Sequence, residues 1–214
     1  SLLVCASGGA PCPPALAREV RRAFGCAFYN GFGMTEAAGG ISVSSLADPD
    51  EQQEQTVGQV LPGIDVRVVD AQRRDLPRGE VGELAVHGEG VMLGYYQAPE
   101  LTAEAKDEQG WRYTGDLARI DENGYIRIVG RAKDVIVRGA QNIYPVEIEN
   151  VLYRYPAVHM CAVIGVPDAK WGEVGKACVV LKAEHRGRVS AADLMAFCKE
   201  RLAGYKVPRI VEFR

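Results

Sequence analysis

The sequence lacks the features that mark several classes of protein. It has no surplus of basic residues, since 25 Lys and Arg stand against 28 Asp and Glu for a net charge of -3, and we therefore expect no nucleic-acid partner. No apolar run approaches the ~20 residues of a membrane-spanning helix, so no membrane span is expected. The first residues carry no basic segment ahead of an apolar one, which argues against a secretory signal.

Cysteine and nucleotide motifs are also sparse. The six cysteines form no Cys-x-x-Cys pair, and most lie in apolar runs such as LLVCA and KACVVL. This pattern predicts buried, reduced thiols and a cytoplasmic protein. The three histidines are scattered and complete no metal-binding pattern. The GxxxxGK[ST] phosphate loop is missing, and the best approach to GxGxxG has Glu36 at its third glycine, so neither motif is present.

Glycine is in excess, with 24 in 214 residues, and this indicates tight turns or close approach of the backbone to a ligand. The first section reads as a strand at Leu2–Cys5, a helix at Ala15–Phe24 and a short strand at Ala27–Tyr29. Strand, helix and strand in this order predict the start of an α/β layer with a parallel sheet. A glycine-rich loop over residues 30–40 and a solvated loop containing DPDEQQEQ are expected next.

Two further sections follow. Short strand patterns separated by turn residues predict a small β-barrel over residues 56–130, with a sandwich as the alternative. The candidate strands are Asp65–Val69, Glu83–His87, Trp111–Tyr113, Leu117–Ile120 and Tyr125–Val129. Residues 131–214 predict a compact α+β module with helices at Pro145–Tyr153 and Ser190–Leu202. The fold class is therefore α/β plus β-barrel plus α+β, with residues 1–55 as the end of the α/β part.

Three motifs are candidates for chemistry, and each has a structural alternative. In NGFGMTE, the glycines let backbone N–H groups approach phosphate, Thr35 adds a hydroxyl and Glu36 offers an oxygen ligand to Mg²⁺; the alternative is a plain connection between elements. In YTGDL, Asp116 could accept hydrogen bonds from a ribose diol, or could form an Asx-turn. The stretch GRAKD, residues 130–134, suits a hinge or a solvated linker.

Taken in order, these motifs resemble the carboxyl-terminal half of the adenylate-forming, or AMP-binding, superfamily, and its acyl-CoA synthetase branch most of all. SGGAP, GELAVHGEGVMLGYY, NIYPVEIE and LAGYKVPRIVEF extend the resemblance over nearly the whole chain. It implies that ATP, Mg²⁺ and CoA act on a small carboxylic acid, first to form an acyl-adenylate and then a thioester. It also implies that residues 1–130 belong to the large AMP-binding domain, most of which is lacking, and that residues 131–214 form the mobile carboxyl-terminal domain.

The resemblance further implies roles for single residues. It places Gly8, Gly9 and Ala10 beside the adenine and acyl groups, Phe32 at the adenine, Gly33 in the nucleotide site, Thr35 at the phosphates and Glu36 at the Mg²⁺. It places Asp116 at the ribose, Arg131 at the ribose or phosphate, Lys133 at the hinge, and Arg138, Gly139 and Trp171 at CoA. Thr35 and Glu36 are the catalytic candidates among these. Phe32 stands where the family usually has Tyr, a change that keeps the stacking ring. Packing is the alternative role for Trp171.

Two catalytic parts of the family have no counterpart in the sequence. They are a Ser-, Thr- and Gly-rich phosphate loop and a lysine beyond the GYKVP stretch, to which Lys206 itself belongs. We therefore expect a truncated, inactive piece of an acid–CoA ligase for a fatty or aryl acid, one that forms a homodimer through its exposed sheet edge or is ordered mainly in its last two sections. The alternatives are an amino-acid adenylation domain, a non-catalytic nucleotide- or CoA-binding module, and a structural domain without a ligand.

Overall fold

The computed structural model describes residues 2–214, which form two compact units. The first unit ends at Val129 and the second begins at Gly130. Within the described residues no helix is both long enough and apolar enough to cross a bilayer.

The first unit is built from two four-stranded sheets and short helices. Its elements are β1 Val4–Ser7, α1 Pro14–Phe24, β2 Ala27–Met34, β3 Gly39–Val43, α2 Asp50–Gln55, β4 Gln59–Val60, β5 Ile64–Val69, β6 Gly82–Gly88, α3 Pro99–Ala105, β7 Arg112–Ile120 and β8 Ile126–Arg131, the last of which runs across the unit boundary.

The first sheet has the order β1-β2-β3-β4, and its β1–α1–β2 part is the predicted parallel unit. Helix α1 begins at a proline and ends at Gly25, whose φ of 60° is the left-handed conformation that closes a helix. Strands β1 and β2 pair in parallel with Ser7 opposite Asn30. Their carboxyl ends therefore lie at the same edge of the sheet, which is where α/β proteins place their ligands.

Two predicted loops of this sheet are wrong. The segment of residues 30–40 is not a loop: β2 continues to Met34, a 3-10 turn covers Thr35–Ala37, and β3 returns antiparallel to β2. The polar stretch DPDEQQEQ is not a solvated loop either, because it contains helix α2, in which Gln53 and Glu54 are buried. In both segments the observed structure depends on contacts with residues distant in the sequence. Local polarity and glycine content carry no information about such contacts, so they indicated loops.

The second sheet is open and is not the predicted closed barrel. Its order is β5-β6-β7-β8, and the two strands predicted on either side of Gly115 are the single strand β7. At the start of β8, Ile126 exchanges both of its backbone hydrogen bonds with Val57 and Gly58 at 2.8 Å. This part of the β8 backbone is therefore occupied by the segment before β4 rather than by β5.

The second unit is a sheet covered by two helices. Its elements are β9 Ile136–Arg138, β10 Gln141–Ile143, α4 Pro145–Leu152, β11 Val158–Asp168, β12 Gly172–Leu181, α5 Ala191–Lys199 and β13 Ile210–Phe213. The sheet has the order β10-β9-β12-β11, with β13 parallel to β12. The predicted start of the second helix is confirmed, since Ser190 and Asp193 form both hydrogen bonds of a capping box. The unit is α+β, as expected.

Candidate active site

A cavity of about 480 Å³ opens where the ends of β1 and β2 meet the β2–β3 hairpin. It is lined by Gly8, Gly9, Gly31, Phe32, Gly33, Met34, Thr35, Gly39, Gly40, Ser42, Val43 and Leu61. Half of these residues are glycine, so much of the wall is backbone N–H and C=O that a ligand can approach closely. The volume lies in the range of small-molecule sites, but the cavity is a groove that is widely open to solvent.

The glycines are required by the hairpin as well as by the cavity. A Cβ on Gly33 would lie 1.8 Å from the carbonyl oxygen of Gly39 on the paired strand, so no side chain fits there. Gly9 has a φ of 77°, which favours glycine, and a Cβ there would meet open space. The loop after β1 and the β2–β3 hairpin can therefore adopt these conformations because Gly9 and Gly33 have no side chain.

Five sequence-predicted site residues line this cavity: Gly8, Gly9, Phe32, Gly33 and Thr35. Ala10 does not. Phe32 is half-buried, and its side chain packs against the apolar cluster of the first unit, while the residue forms part of the cavity lining. Thr35 is exposed at the start of the 3-10 turn. The structure thus brings together the SGG and GFGMT motifs, which are separated by α1 in the sequence.

Glu36 lies next to Thr35, and two residues that sequence reasoning missed contact its carboxylate. The Tyr95 hydroxyl donates a hydrogen bond to Glu36 Oε1 at 2.8 Å, and Arg112 Nη2 lies 3.7 Å from the same oxygen. The hydrogen bond from Tyr95, then the bond from the Glu36 backbone N–H and the charge of Arg112, lower the pKa of Glu36 below its ordinary value. The carboxylate is therefore ionised at neutral pH.

The donor set around Glu36 fits a Mg²⁺ ion that substrate phosphates help to hold. Glu36 Oε2 accepts no hydrogen bond from another described residue, and Thr35, the residue before it, is exposed. Among residues 2–214 no group of three or more His, Cys, Asp or Glu side chains could hold a metal ion. Mg²⁺ commonly binds through one or two carboxylates together with substrate phosphates, so the single carboxylate of Glu36 is compatible with such a site.

Asp116 lies in β7, outside the lining of the cavity. It is half-buried and follows Gly115, whose φ is 76°. Its backbone N–H donates to Thr114 Oγ1 at 3.1 Å, and the Thr114 hydroxyl in turn donates to the carbonyl of Leu84 at 2.8 Å. The position of Asp116 is therefore fixed by the bend of the strand at Gly115.

In the second unit the structure brings together the residues predicted to contact CoA. The Arg138 guanidinium lies 4.4 Å from the centre of the Trp171 ring, and the Gly139 N–H donates to the Trp171 carbonyl at 2.7 Å. Lys170 Nζ is 5.0 Å from the centre of the same ring, so two cations lie over one half-buried indole. Arg131 and Lys133 are exposed, beside and within the 3-10 turn Ala132–Asp134.

Comparison with known proteins identifies relatives over the whole chain. The family model described as AMP-binding enzyme matches residues 1–96, and the model described as AMP-binding enzyme C-terminal domain matches residues 147–214. Feruloyl-CoA synthase of Amycolatopsis sp is 48% identical over 217 residues, and the medium-chain fatty-acid–CoA ligase of Escherichia coli K12 is 43% identical over 202 residues. The ATP-bound crystal structure of MatB from Rhodopseudomonas palustris is similar, with a TM-score of 0.90 and 36% identity.

These matches cover most of this chain but less than half of each relative. The alignment with feruloyl-CoA synthase includes 100% of this chain and 42% of the relative. For the fatty-acid ligase the shares are 94% and 35%, and for MatB they are 98% and 41%. The chain thus spans about two fifths of the length of the relatives it matches.

Proposed function

Because this chain belongs to the family of AMP-binding enzymes, we propose that it is part of an ATP-dependent acid–CoA ligase. The reaction has two steps. A carboxylate oxygen attacks the α-phosphorus of ATP and displaces pyrophosphate, and the thiol of CoA then attacks the acyl carbon and displaces AMP. The first step is needed because a carboxylate is a poor electrophile, whereas the mixed anhydride has AMP as a good leaving group. The observation that carries the proposal is the glycine-lined cavity beside Thr35 and Glu36.

The residues of the first unit suit the adenylation step. The Phe32 ring at the cavity wall would stack on the adenine, and the backbone groups of Gly31 and Gly33 and the Thr35 hydroxyl would donate to phosphate oxygens. Glu36 would hold the Mg²⁺, which when bound neutralises charge on the phosphates of ATP. Asp116 would accept the ribose hydroxyls, with Arg131 as a second contact. These assignments follow the motif pattern, and the place of Phe32, Gly33 and Thr35 in the cavity lining supports them.

The residues of the second unit suit the thioester step. Arg138 and Lys170 place two positive charges around Trp171, a combination that would attract the phosphates of CoA and stack on its adenine. Lys133 is proposed as the hinge residue of residues 131–214. Trp171 would then contact CoA directly, rather than serve only to pack against Arg138.

An aryl or fatty acid is the proposed substrate. The similar proteins named above include a feruloyl-CoA synthase and a medium-chain fatty-acid–CoA ligase, which supports both classes. In the cavity, Gly39 and Gly40 carry no side chains that would fill space, and this favours a long or bulky acid. Amino-acid adenylation remains the alternative. Testing amino acids beside aryl and fatty acids would distinguish the two functions.

The test is acid-dependent exchange of pyrophosphate into ATP by the natural protein that contains this sequence. Short, long-chain, aromatic and amino acids would be compared, with the 214-residue chain as a parallel sample. We expect exchange with aryl or fatty acids in the natural protein and none in the chain alone, because the phosphate loop and the lysine of the family have no counterpart in its sequence. The Glu36→Gln variant should reduce exchange by at least about 100-fold.

The matched control is Glu89→Gln, which changes an exposed carboxylate in the loop after β6 and should leave exchange unchanged. Formation of the CoA thioester is measured separately, and Trp171→Ala should slow that step while exchange continues. A natural protein that binds ATP but shows no exchange with any acid would favour a non-catalytic binding module. Robust exchange by the isolated chain would contradict its proposed inactivity.

A further inference from the structure

We propose that Tyr95 acts as a positioning residue: its hydroxyl accepts a hydrogen bond from Arg112 and so keeps the guanidinium from hydrogen-bonding directly to Glu36, which leaves one oxygen of this carboxylate available to the cation. The inference rests on the proposed function, because it assumes that Glu36 holds Mg²⁺. It concerns two residues, Tyr95 and Arg112, to which neither the motifs nor the comparisons give a role.

The three side chains form a chain of hydrogen bonds with a fixed direction. Arg112 Nη2 donates to the Tyr95 hydroxyl oxygen at 3.2 Å, and the Tyr95 hydroxyl donates to Glu36 Oε1 at 2.8 Å. Because the tyrosine oxygen accepts from a guanidinium, its own proton is directed toward the carboxylate. Oε1 is thereby occupied, while Oε2 has no partner in another described residue.

Arg112 has a strong electrostatic reason to pair with Glu36. Its side chain is only 9% exposed, its Nε has no hydrogen-bond partner, and Glu36 is the carboxylate within 4 Å of it among the described residues. A buried guanidinium gains most from a direct, charge-assisted bond to a carboxylate. Yet Nη2 lies 3.7 Å from Oε1, which is within ion-pair distance but too far for a hydrogen bond, and it donates instead to the Tyr95 hydroxyl oxygen at 3.2 Å.

The surrounding backbone holds Tyr95 in this place. The Met92 N–H donates to the Glu36 carbonyl at 2.8 Å, and the Tyr95 N–H donates to Thr102 Oγ1 at 2.9 Å. Arg112 Nη1 donates to the Ala105 carbonyl at 3.2 Å. The loop after β6, helix α3 and strand β7 therefore converge on one carboxylate. Without the hydroxyl, Nη2 needs to move by less than 1 Å to bond Glu36 directly.

The experiment measures cation affinity directly. Mn²⁺ is titrated into the natural protein with saturating ATP, and the free ion is followed by electron paramagnetic resonance. In Tyr95→Phe, Arg112 closes onto Glu36 and competes with the cation, so we expect Mn²⁺ to bind about 10-fold more weakly. In Tyr95→Phe combined with Arg112→Met, this competitor is absent and most of the affinity for Mn²⁺ should return.

Pyrophosphate exchange gives a second measurement. The Tyr95→Phe variant should need a higher Mg²⁺ concentration for half-maximal exchange, and its exchange rate at saturating Mg²⁺ should equal that of the unsubstituted protein.

Controls separate this role from folding and from the proposed function. Tyr96→Phe removes the hydroxyl of the neighbouring tyrosine, which is 90% exposed, and should bind Mn²⁺ as the natural protein does. If Arg112→Met fails to fold, Arg112→Gln supplies a second neutral residue. Unchanged Mn²⁺ affinity in Tyr95→Phe, or no recovery in the double variant, overturns the inference while exchange persists. Absence of exchange in the unsubstituted protein would instead overturn the proposed function.

Discussion

At the residue scale, Glu149 of α4 shows how burial raises the pKa of a carboxyl group. Its Oε1 accepts a hydrogen bond from the Val163 N–H at 2.8 Å, but no cation lies within ion-pair distance of it among residues 2–214. Burial, and secondarily the charge of Asp134, raise the pKa of Glu149 above its ordinary value, against the opposing effect of the Val163 N–H. The folded chain therefore holds this proton more tightly than the unfolded chain does.

The raised pKa predicts a pH-dependent effect of Glu149→Gln. The stability contributed by protonated Glu149 is complete below the pKa of the unfolded chain, about 4.3, and is lost as the pH rises through the higher pKa of the folded state. Glutamine keeps an acceptor for Val163 and carries no charge. We expect the variant to melt at a higher temperature than the unsubstituted chain at pH 7.5 and at the same temperature near pH 4. Exposed Glu184→Gln is the control, and an equal or lower melting temperature at pH 7.5 would refute the argument.

The candidate site illustrates which functional residues can be predicted from a sequence and which cannot. Thr35 and Glu36 are adjacent in a recognisable motif, and the structure places Thr35 on the cavity and Glu36 beside it. Tyr95 and Arg112 reach Glu36 only through the loop after β6 and through β7, so no spacing in the sequence connects them. Arg112 and its neighbour Tyr113 are both buried. The alternation of buried and exposed residues that is typical of a strand is therefore interrupted here, and it could not have marked Arg112 as an inward-facing charge.

At the element scale, α2 is a helix because of partners from α1. Glu54 accepts hydrogen bonds from Arg18 and Arg21 at 2.7 Å each, and its side chain is 10% exposed. These pairs bury a polar helix that, by its composition alone, would be solvated. The same reasoning explains the open second sheet, where the backbone of residues 57–58 pairs with the start of β8.

Removing the charge of Glu54 should therefore loosen both helices. Glu54→Gln leaves the Arg21 guanidinium, 16% exposed, with Asp50 at 3.7 Å as its remaining carboxylate partner, and we expect a loss of about 2 kcal/mol in the local stability of α1 and α2. Amide hydrogen exchange read by mass spectrometry would measure it. Glu19→Gln changes an exposed carboxylate of α1 and should have no such effect. Equal protection in the two variants would show that the pairs do not hold α2.

The β2–β3 hairpin gives a prediction with an internal control. Gly33→Ala places a methyl group 1.8 Å from the Gly39 carbonyl oxygen, a backbone atom that cannot move without breaking the pairing. Gly40→Ala places one 3.2 Å from Leu61 Cδ1, the end of a side chain that can rotate. We expect a loss of about 3 kcal/mol for Gly33→Ala and less than about 1 kcal/mol for Gly40→Ala, measured by urea unfolding of the first unit. Similar values for both would mean that the hairpin adjusts freely.

At the scale of the whole molecule, each unit has a hydrophobic core of its own. The core of the second unit contains Ile148, Leu152 and Leu194 between the sheet and the helices α4 and α5. The cluster in the first unit contains Ile41, Leu84 and other residues of its two sheets. Because burial of apolar area within one core is the main stabilising term of a domain, separate cores predict separate unfolding transitions.

Matched truncations in the two cores test this independence. Leu84 and Leu194 are both fully buried, and replacing either by alanine should cost about 3 kcal/mol through lost burial and the cavity left behind. Leu194→Ala should speed hydrogen exchange in β9 to β13, α4 and α5 and leave β5 to β7 unchanged, whereas Leu84→Ala should do the reverse. Exposed Leu93→Ala, at a residue 96% exposed, should change neither. If either core variant destabilised both units equally, the chain would unfold as one cooperative body, and the two cores would not act as separate folding units.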